Sequence, residues 1–250
     1  MVLTEALGLC AAGFVAGVVN VAVGGGTLIT FPALLAFGLP PVLANVTNTF
    51  AAIPGLVTGA FGYRRELRGE LKLGYALAGV SASGGLLGAW LLRVLPRASF
   101  TYAAPACLAL AVMLIGLEPY LGSARGLGFS SAPADRRLPV LGGILVTGVY
   151  GGYFGAAQAI VAFAVLKLWI ARDARHLGAL KVLCSCLSNV AAAAVFVWLF
   201  RVSWLPAGLI GLGGVIGGLA GARCGRRISA RAMRLLSMGV GALVVMRLLV

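Results

Sequence analysis

Ten apolar runs, separated by short gaps that hold most of the arginines, leave this chain few folds to choose from. They cover roughly residues 5–23, 27–38, 43–62, 73–92, 99–117, 139–155, 157–170, 177–200, 204–222 and 232–249. Most approach the roughly 20 residues that a helix needs to cross a hydrocarbon core, while 27–38 and 157–170 fall short. Hydrophobic residues make up 61% of the chain, charged residues 10%, and mean hydropathy is +1.04. A soluble domain of 250 residues cannot hide that much apolar surface, so the sequence predicts an all-α polytopic membrane protein. Met1–Cys10 lacks a basic n-region and a small-residue cleavage site, so no cleaved leader is expected there.

The first two runs are separated by Gly24-Gly25-Gly26-Thr27, a break inside what should be membrane-embedded chain. Three glycines hold a helix poorly and leave backbone N–H groups without side-chain cover. Irregular backbone survives in a bilayer only where protein buries it or a water-filled cavity touches it. A half-helix starting near Thr27 would aim its positive N-terminal end at such a cavity. Close helix packing through glycine is the other reading of the same residues.

The halves repeat each other. Gly17 falls on Gly148 and Gly24 on Gly155 at a shift of 131, and Gly84–Ala89 matches Gly217–Ala222 at five of six positions at a shift of 133. Two ordered matches at nearly one spacing predict a duplication, with 1–117 and 138–250 as transmembrane repeats and 118–137 as linker. Each repeat is expected to be a broken or re-entrant helix pair plus three transmembrane helices. That odd number of full crossings makes the two repeats inverted.

Charge fixes an orientation. In the inverted model 14 Lys and Arg residues face the cytoplasm, among them Arg64, Arg65, Arg68, Arg223 and Arg226. Only Arg93, Arg97, Arg201 and Arg247 lie outside. Letting each broken pair make a single crossing divides the same charges nine and nine, so the positive-inside rule favours inversion. The net charge of +14 then belongs to topology and anionic lipid rather than to nucleic acid. Five cysteines with one histidine do not make a metal site, and no cofactor is expected.

Polar side chains inside the runs mark where a solute would bind. Asn45, Asn48 and Thr49 share one helix face, and at the 133 shift their counterpart run carries Lys181, Ser185, Ser188 and Asn189, again on one face. Such groups serve either as helix–helix glue or as ligands. Lys181 either faces the solute or snorkels back to the interface. All six acidic residues (Glu5, Glu66, Glu70, Glu118, Asp135, Asp173) fall at run ends or in loops. A membrane site with a lysine, amides, hydroxyls and glycine N–H groups but no acid favours an anion. No nucleophile, acid pair or metal cluster supports catalysis, so an enzyme is not expected.

The run Gly13-Phe14-Val15-Ala16-Gly17, then Gly24-Gly25-Gly26-Thr27-Leu28-Ile29 with Pro32-Ala33-Leu34-Leu35, then Ala44-Asn45-Val46-Thr47-Asn48-Thr49, resembles the sulfite exporter TauE/SafE family. Gly148-Val149-Tyr150-Gly151-Gly152-Tyr153-Phe154-Gly155-Ala156 is similar to that family's repeated motif. The resemblance implies a bacterial inner-membrane carrier of sulfite, sulfonates or related organosulfur anions. Ala157-Gln158 and Asn45–Thr49 depart from the family's commoner glycine-rich and Gly-Thr-Ser-like stretches. The expected substrate-binding set is Gly24, Gly25, Gly26, Thr27, Asn45, Asn48, Thr49, Tyr150, Tyr153, Gln158, Lys181, Ser185 and Asn189, between the two halves. A channel, a carrier of another solute, or a non-transporting assembly subunit are the alternatives, and a homodimer is one assembly left open.

Overall fold

In the computed structural model, which describes residues 3–68, 71–117, 134–170, 173–224 and 230–249, every regular element is helical. The order is α1 (Leu3–Ala22), α2 (Thr27–Ala36), α3 (Pro41–Gly62), α4 (Arg64–Leu67), α5 (Leu71–Val94) and α6 (Arg97–Leu117). The second half follows with α7 (Ala134–Tyr153), α8 (Gln158–Trp169), α9 (Ala174–Leu199), α10 (Trp204–Cys224) and α11 (Ala230–Leu249). Each of the ten apolar runs is a helix, and only the one-turn α4 was not expected. Four helices among the described residues (α1, α5, α9 and α10) are long and apolar enough to cross a membrane by length and composition. With 10 and 12 residues, α2 and α8 reach only about 15 and 18 Å at 1.5 Å per residue.

Large apolar side chains stay exposed around the bundle, including Trp198 at 86%, Trp90 and Leu212, as a lipid solvent requires. Inside, Phe31, Phe100 and Phe154 pack together in the main core, with Phe31 and Phe154 edge to face at 5.4 Å. A second core of Leu67, Leu77, Ile144, Ile170 and Leu177 gathers α5, α7, α8 and α9.

Helix contacts exchange between the halves. α1 packs on α10 and α7 on α5; α3 meets α10 where α9 meets α5; α2 touches α11 where α8 touches α6; α3 and α9 meet each other. Both long seams are parallel and glycine-lined. Cys10, Phe14 and Val18 step one turn at a time along Gly213, Gly217 and Gly221, while Leu145 and Val149 step along Gly84 and Gly88. A Cβ at Gly17 would stand 2.7 Å from the Gly214 carbonyl oxygen, and one at Gly85 2.5 Å from that of Ser188. Only glycine lets these backbones come so close.

The ends of the bundle are chemically distinct. At one end the α2–α3, α5–α6 and α9–α10 connections gather around a single cavity. At the other, Tyr63 donates to the Val21 carbonyl at 3.5 Å, Gly62 abuts Ala222, and Leu67 packs with Ile170 and Leu177. Asp173 caps α9 there, accepting from the His176 backbone N–H at 3.1 Å and pairing with its ring Nδ1. The hydrogen bond from His176 holds this exposed carboxyl below its ordinary range.

Candidate functional site

The two chain breaks lie against each other in the middle of the bundle. Gly24 and Gly155, 131 residues apart, both take positive φ, at 109° and 71°, and Ala157 follows in the left-handed region at 60°. A side chain at Gly24 would be strained by the backbone and would also press on Ala159 and Ile160 of α8. The breaks are tied by Thr27: its Oγ1 accepts the Ala157 N–H at 2.7 Å and lies 3.5 Å from the Gly155 carbonyl. Neither half-helix has a side-chain cap. Two helix N-termini, each carrying partial positive charge, therefore converge on one place.

Amides and hydroxyls surround that place. Asn45 on α3 donates Nδ2 to the Tyr153 carbonyl at 3.0 Å, while its buried Oδ1 finds no hydrogen-bond partner. Thr49, one turn on, returns its hydroxyl to the Asn45 carbonyl at 3.1 Å. Both side chains stand beside Gly155. On α9, Asn189 donates to Gln158 Oε1 at 3.2 Å and to the Ser185 carbonyl at 2.8 Å. Gln158 Nε2 and Ser185 Oγ are buried without a partner. Tyr150 straps the second break, its hydroxyl lying 2.8 Å from the Ala156 carbonyl and 3.2 Å from that of Cys107 on α6. A buried polar group left unpaired costs about 1–3 kcal/mol, so this layer is dear to maintain.

The remaining expected residues sit at its margins. Asn48 Oδ1 accepts from Thr30 on α2 at 2.5 Å. Gly24 gives its N–H to the Val19 carbonyl, and Gly25 and Gly26 are pressed on α8, α11 and α1. Lys181 is 2% exposed, with its ammonium 5.2 Å from the centre of the Phe163 ring on α8. It lines neither of the two cavities described below. Asn48 and Lys181, 133 residues apart, each engage the short helix of their own half.

A cavity of about 650 Å³ descends from the bundle end that carries Arg93 and Arg201 to Val46, Phe100 and Tyr153. It stops there, against the residue whose carbonyl holds Asn45. A second cavity of about 20 Å³, room for one water, is lined by Asn20, Thr27 and Thr30 between α1, α2, α3 and α10. Among the described residues no group of His, Cys, Asp or Glu is placed to hold a metal ion.

The profile of the family described as "Sulfite exporter TauE/SafE" matches residues 9–248. The chain belongs to that family. A "Probable membrane transporter protein ORF9" of Sinorhizobium is 28% identical over 250 residues, covering 96% of this chain and 91% of its own. A "Probable membrane transporter protein" of Haemophilus influenzae is 29% identical over 226 residues, covering 84% and 81%. The Escherichia coli "Probable membrane transporter protein YfcA" is 28% identical over 221 residues, covering 85% and 76%. No solved structure matches the chain.

As a TauE/SafE member with spanning helices the protein is a multi-pass membrane transporter. Its polar layer contains residues that sequence reasoning passed over. Thr30 lies one turn beyond Thr27 on an otherwise apolar helix, a spacing that marks one face and was there to be read. Asn20 is the one amide in α1. Ser237, whose buried hydroxyl stands against Gly25, gives no signal, because nothing local in α11 says which break it meets.

Proposed function

We propose that this TauE/SafE transporter carries a small sulfur-containing oxyanion, such as sulfite or a sulfonate, across the bacterial inner membrane between two inverted repeats. The observation that carries the reading is the meeting of two uncapped helix N-termini inside a layer of amides and hydroxyls. Every acidic side chain lies at an end of an apolar run or in a loop. Partial positive charge from both helix ends and the Lys181 ammonium favour negative charge there. A multi-oxygen anion can gather several weak donors at once, which one halide cannot do as well. The open groups include an acceptor (Asn45 Oδ1), a donor (Gln158 Nε2) and a hydroxyl (Ser185), which suits an oxyanion that keeps one O–H or N–H. Thr27, Asn45, Thr49, Gln158, Ser185 and Asn189 are the proposed ligands. Tyr150 and Tyr153 shape the second break, and Asn48 braces α2.

The exchanged helix contacts support the repeats at 1–117 and 138–250. In this conformation the cavity ends at Tyr153, so release of the Asn45–Tyr153 bond is the step that would admit solute. Initial rates of labelled sulfite, sulfonate, sulfate and phosphate uptake into proteoliposomes test the reading. Saturable flux of a sulfur anion above protein-free vesicles is expected. Flux of a different solute, with none for any sulfur anion, overturns it.

A further inference from the structure

The large cavity has a feature that the polar layer does not explain: both of its charged lining residues are arginines, one from each half of the chain. Arg93 ends α5 and Arg201 follows α9, both are exposed, and no acid lines the cavity with them. Apart from the Tyr153 phenol its other lining side chains are apolar, with Val46, Phe100 and Tyr153 at the floor. Neither guanidinium is paired with an acid among the described residues. Low-dielectric walls around charges of one sign focus the field into the mouth and raise the local concentration of the opposite ion.

The repeat gives a second, independent observation. At the 133 shift that lays Gly84–Ala89 on Gly217–Ala222, Arg93 falls on Arg226 and Arg68 falls on Arg201. No other two basic residues of the chain stand 133 positions apart. The two arginines at the open mouth are thus members of the only two such pairs in the sequence. Arg68 follows Leu67, at the end where Tyr63 and Val21 close the bundle. Position 226 lies outside the described residues.

We propose that Arg93 and Arg201 form an anion-capture site at the mouth of the open cavity. The occupant is a free small oxyanion, because guanidinium offers planar paired donors that match oxyanion geometry and stays charged at any working pH. The proposal rests on the transport reading above but concerns the approach of the solute, not its central ligands.

Two measurements on the full-length protein test it and keep the two readings apart. The first puts a cysteine in the mouth (Leu95→Cys) of a cysteine-free protein. It compares labelling by methanethiosulfonate ethylsulfonate, an anion, with labelling by the trimethylammonium analogue. The anionic reagent is expected to lose about tenfold of its relative rate in R93Q/R201Q and to recover in R93K/R201K. The second is sulfite uptake from the Arg93 face, in vesicles of phosphatidylcholine alone and with added phosphatidylglycerol. KM is expected to rise about tenfold in R93Q/R201Q in both lipids, with a flatter dependence on added potassium chloride. An unchanged labelling ratio overturns the capture site whatever the flux. So does an unchanged KM in a protein that carries sulfite, and so does an effect confined to anionic vesicles, which would mean that the arginines hold lipid headgroups. If the labelling ratio shifts but no sulfur anion is carried, the mouth stands as an anion attractor and the sulfur reading falls.

Discussion

Lys181 is the costliest residue in the bundle to bury, since an ammonium in a membrane helix must find charge, polarity or water. Snorkelling was one of its two expected fates, and the structure instead keeps it 2% exposed beside Phe163. A cation over an aromatic face recovers about 2 kcal/mol when desolvated, a part of what desolvation of an ion takes. Lys181→Met keeps the stem and removes the charge. If its ammonium balances the charge of the bound anion, the variant's anion affinity should fall on the order of ten- to a hundredfold, equivalent to about 1.5–3 kcal/mol. Lys181→Arg should keep part of the affinity and change the preference among anions of different size. Affinities within about twofold of wild type in both variants would remove Lys181 from the site. At this scale the sequence was legible for residues with an obvious face. Asn45, Thr49, Ser185 and Asn189 could be grouped by helical spacing, and the structure gathers them at the breaks. That Tyr153 would bind through its carbonyl and Thr27 through the backbone of the other half could not be read, because those bonds join residues 108 and 130 positions apart.

Glycine spacing decides how the long helices pack. Gly84 with Gly88, and Gly213, Gly217 and Gly221, recur every fourth residue, and each faces backbone of the parallel partner helix. A Cβ at Gly88 would fall on the Val149 carbonyl, with the Tyr153 N–H 2.7 Å away. At Gly79, on the same helix, nothing lies within 4 Å. Gly88→Leu should therefore force α5 and α7 apart, costing about 1–3 kcal/mol or more and lowering Tm by several degrees. Gly79→Leu should be neutral or stabilising by up to about 1 kcal/mol through helix propensity. Thermal unfolding of both variants in one detergent compares them directly, and equal effects would mean that the seam tolerates separation. The triple glycine was harder to read. It does break the helix, but Gly24 spends its N–H on Val19, and what the stretch permits is contact with α8 and α11. The position of the break was legible, but what would fill the space beside it was not.

Over the whole molecule the number of crossings per half matters to the proposed function, because halves of opposite orientation would place their breaks face to face. The length of α1, 20 residues or about 30 Å, and its parallel run along α10 make it long enough to cross by itself. α2 returns only half that distance. The shortness of 27–38 and 157–170 was legible, but whether the opening pair re-enters or crosses was not, since a bare apolar run does not say how far its neighbour turns back. The charge count was, and it makes a prediction about faces. The connections at 63–68 and Arg223 share one end of the bundle, while Leu95 shares the other with Arg201. If 14 of the assigned basic residues mark the cytoplasmic side, single cysteines at Arg65 and Arg223 should react with an impermeant maleimide only from the cytoplasm. A cysteine at Leu95 should react only from outside. Arg65, Leu95 and Arg223 are all exposed, so access rather than burial sets the outcome. The background requires removal of Cys10, Cys107, Cys184, Cys186 and Cys224, and alanine at the tightly packed Cys184 and Cys186 costs little volume. Reaction of Arg65→Cys and Arg223→Cys from opposite faces would break the inverted arrangement, and with it the reason for two helix N-termini to meet at mid-membrane. Reaction of all three from the reversed sides would keep the repeats, and would leave the cavity with Arg93 and Arg201 facing the cytoplasm.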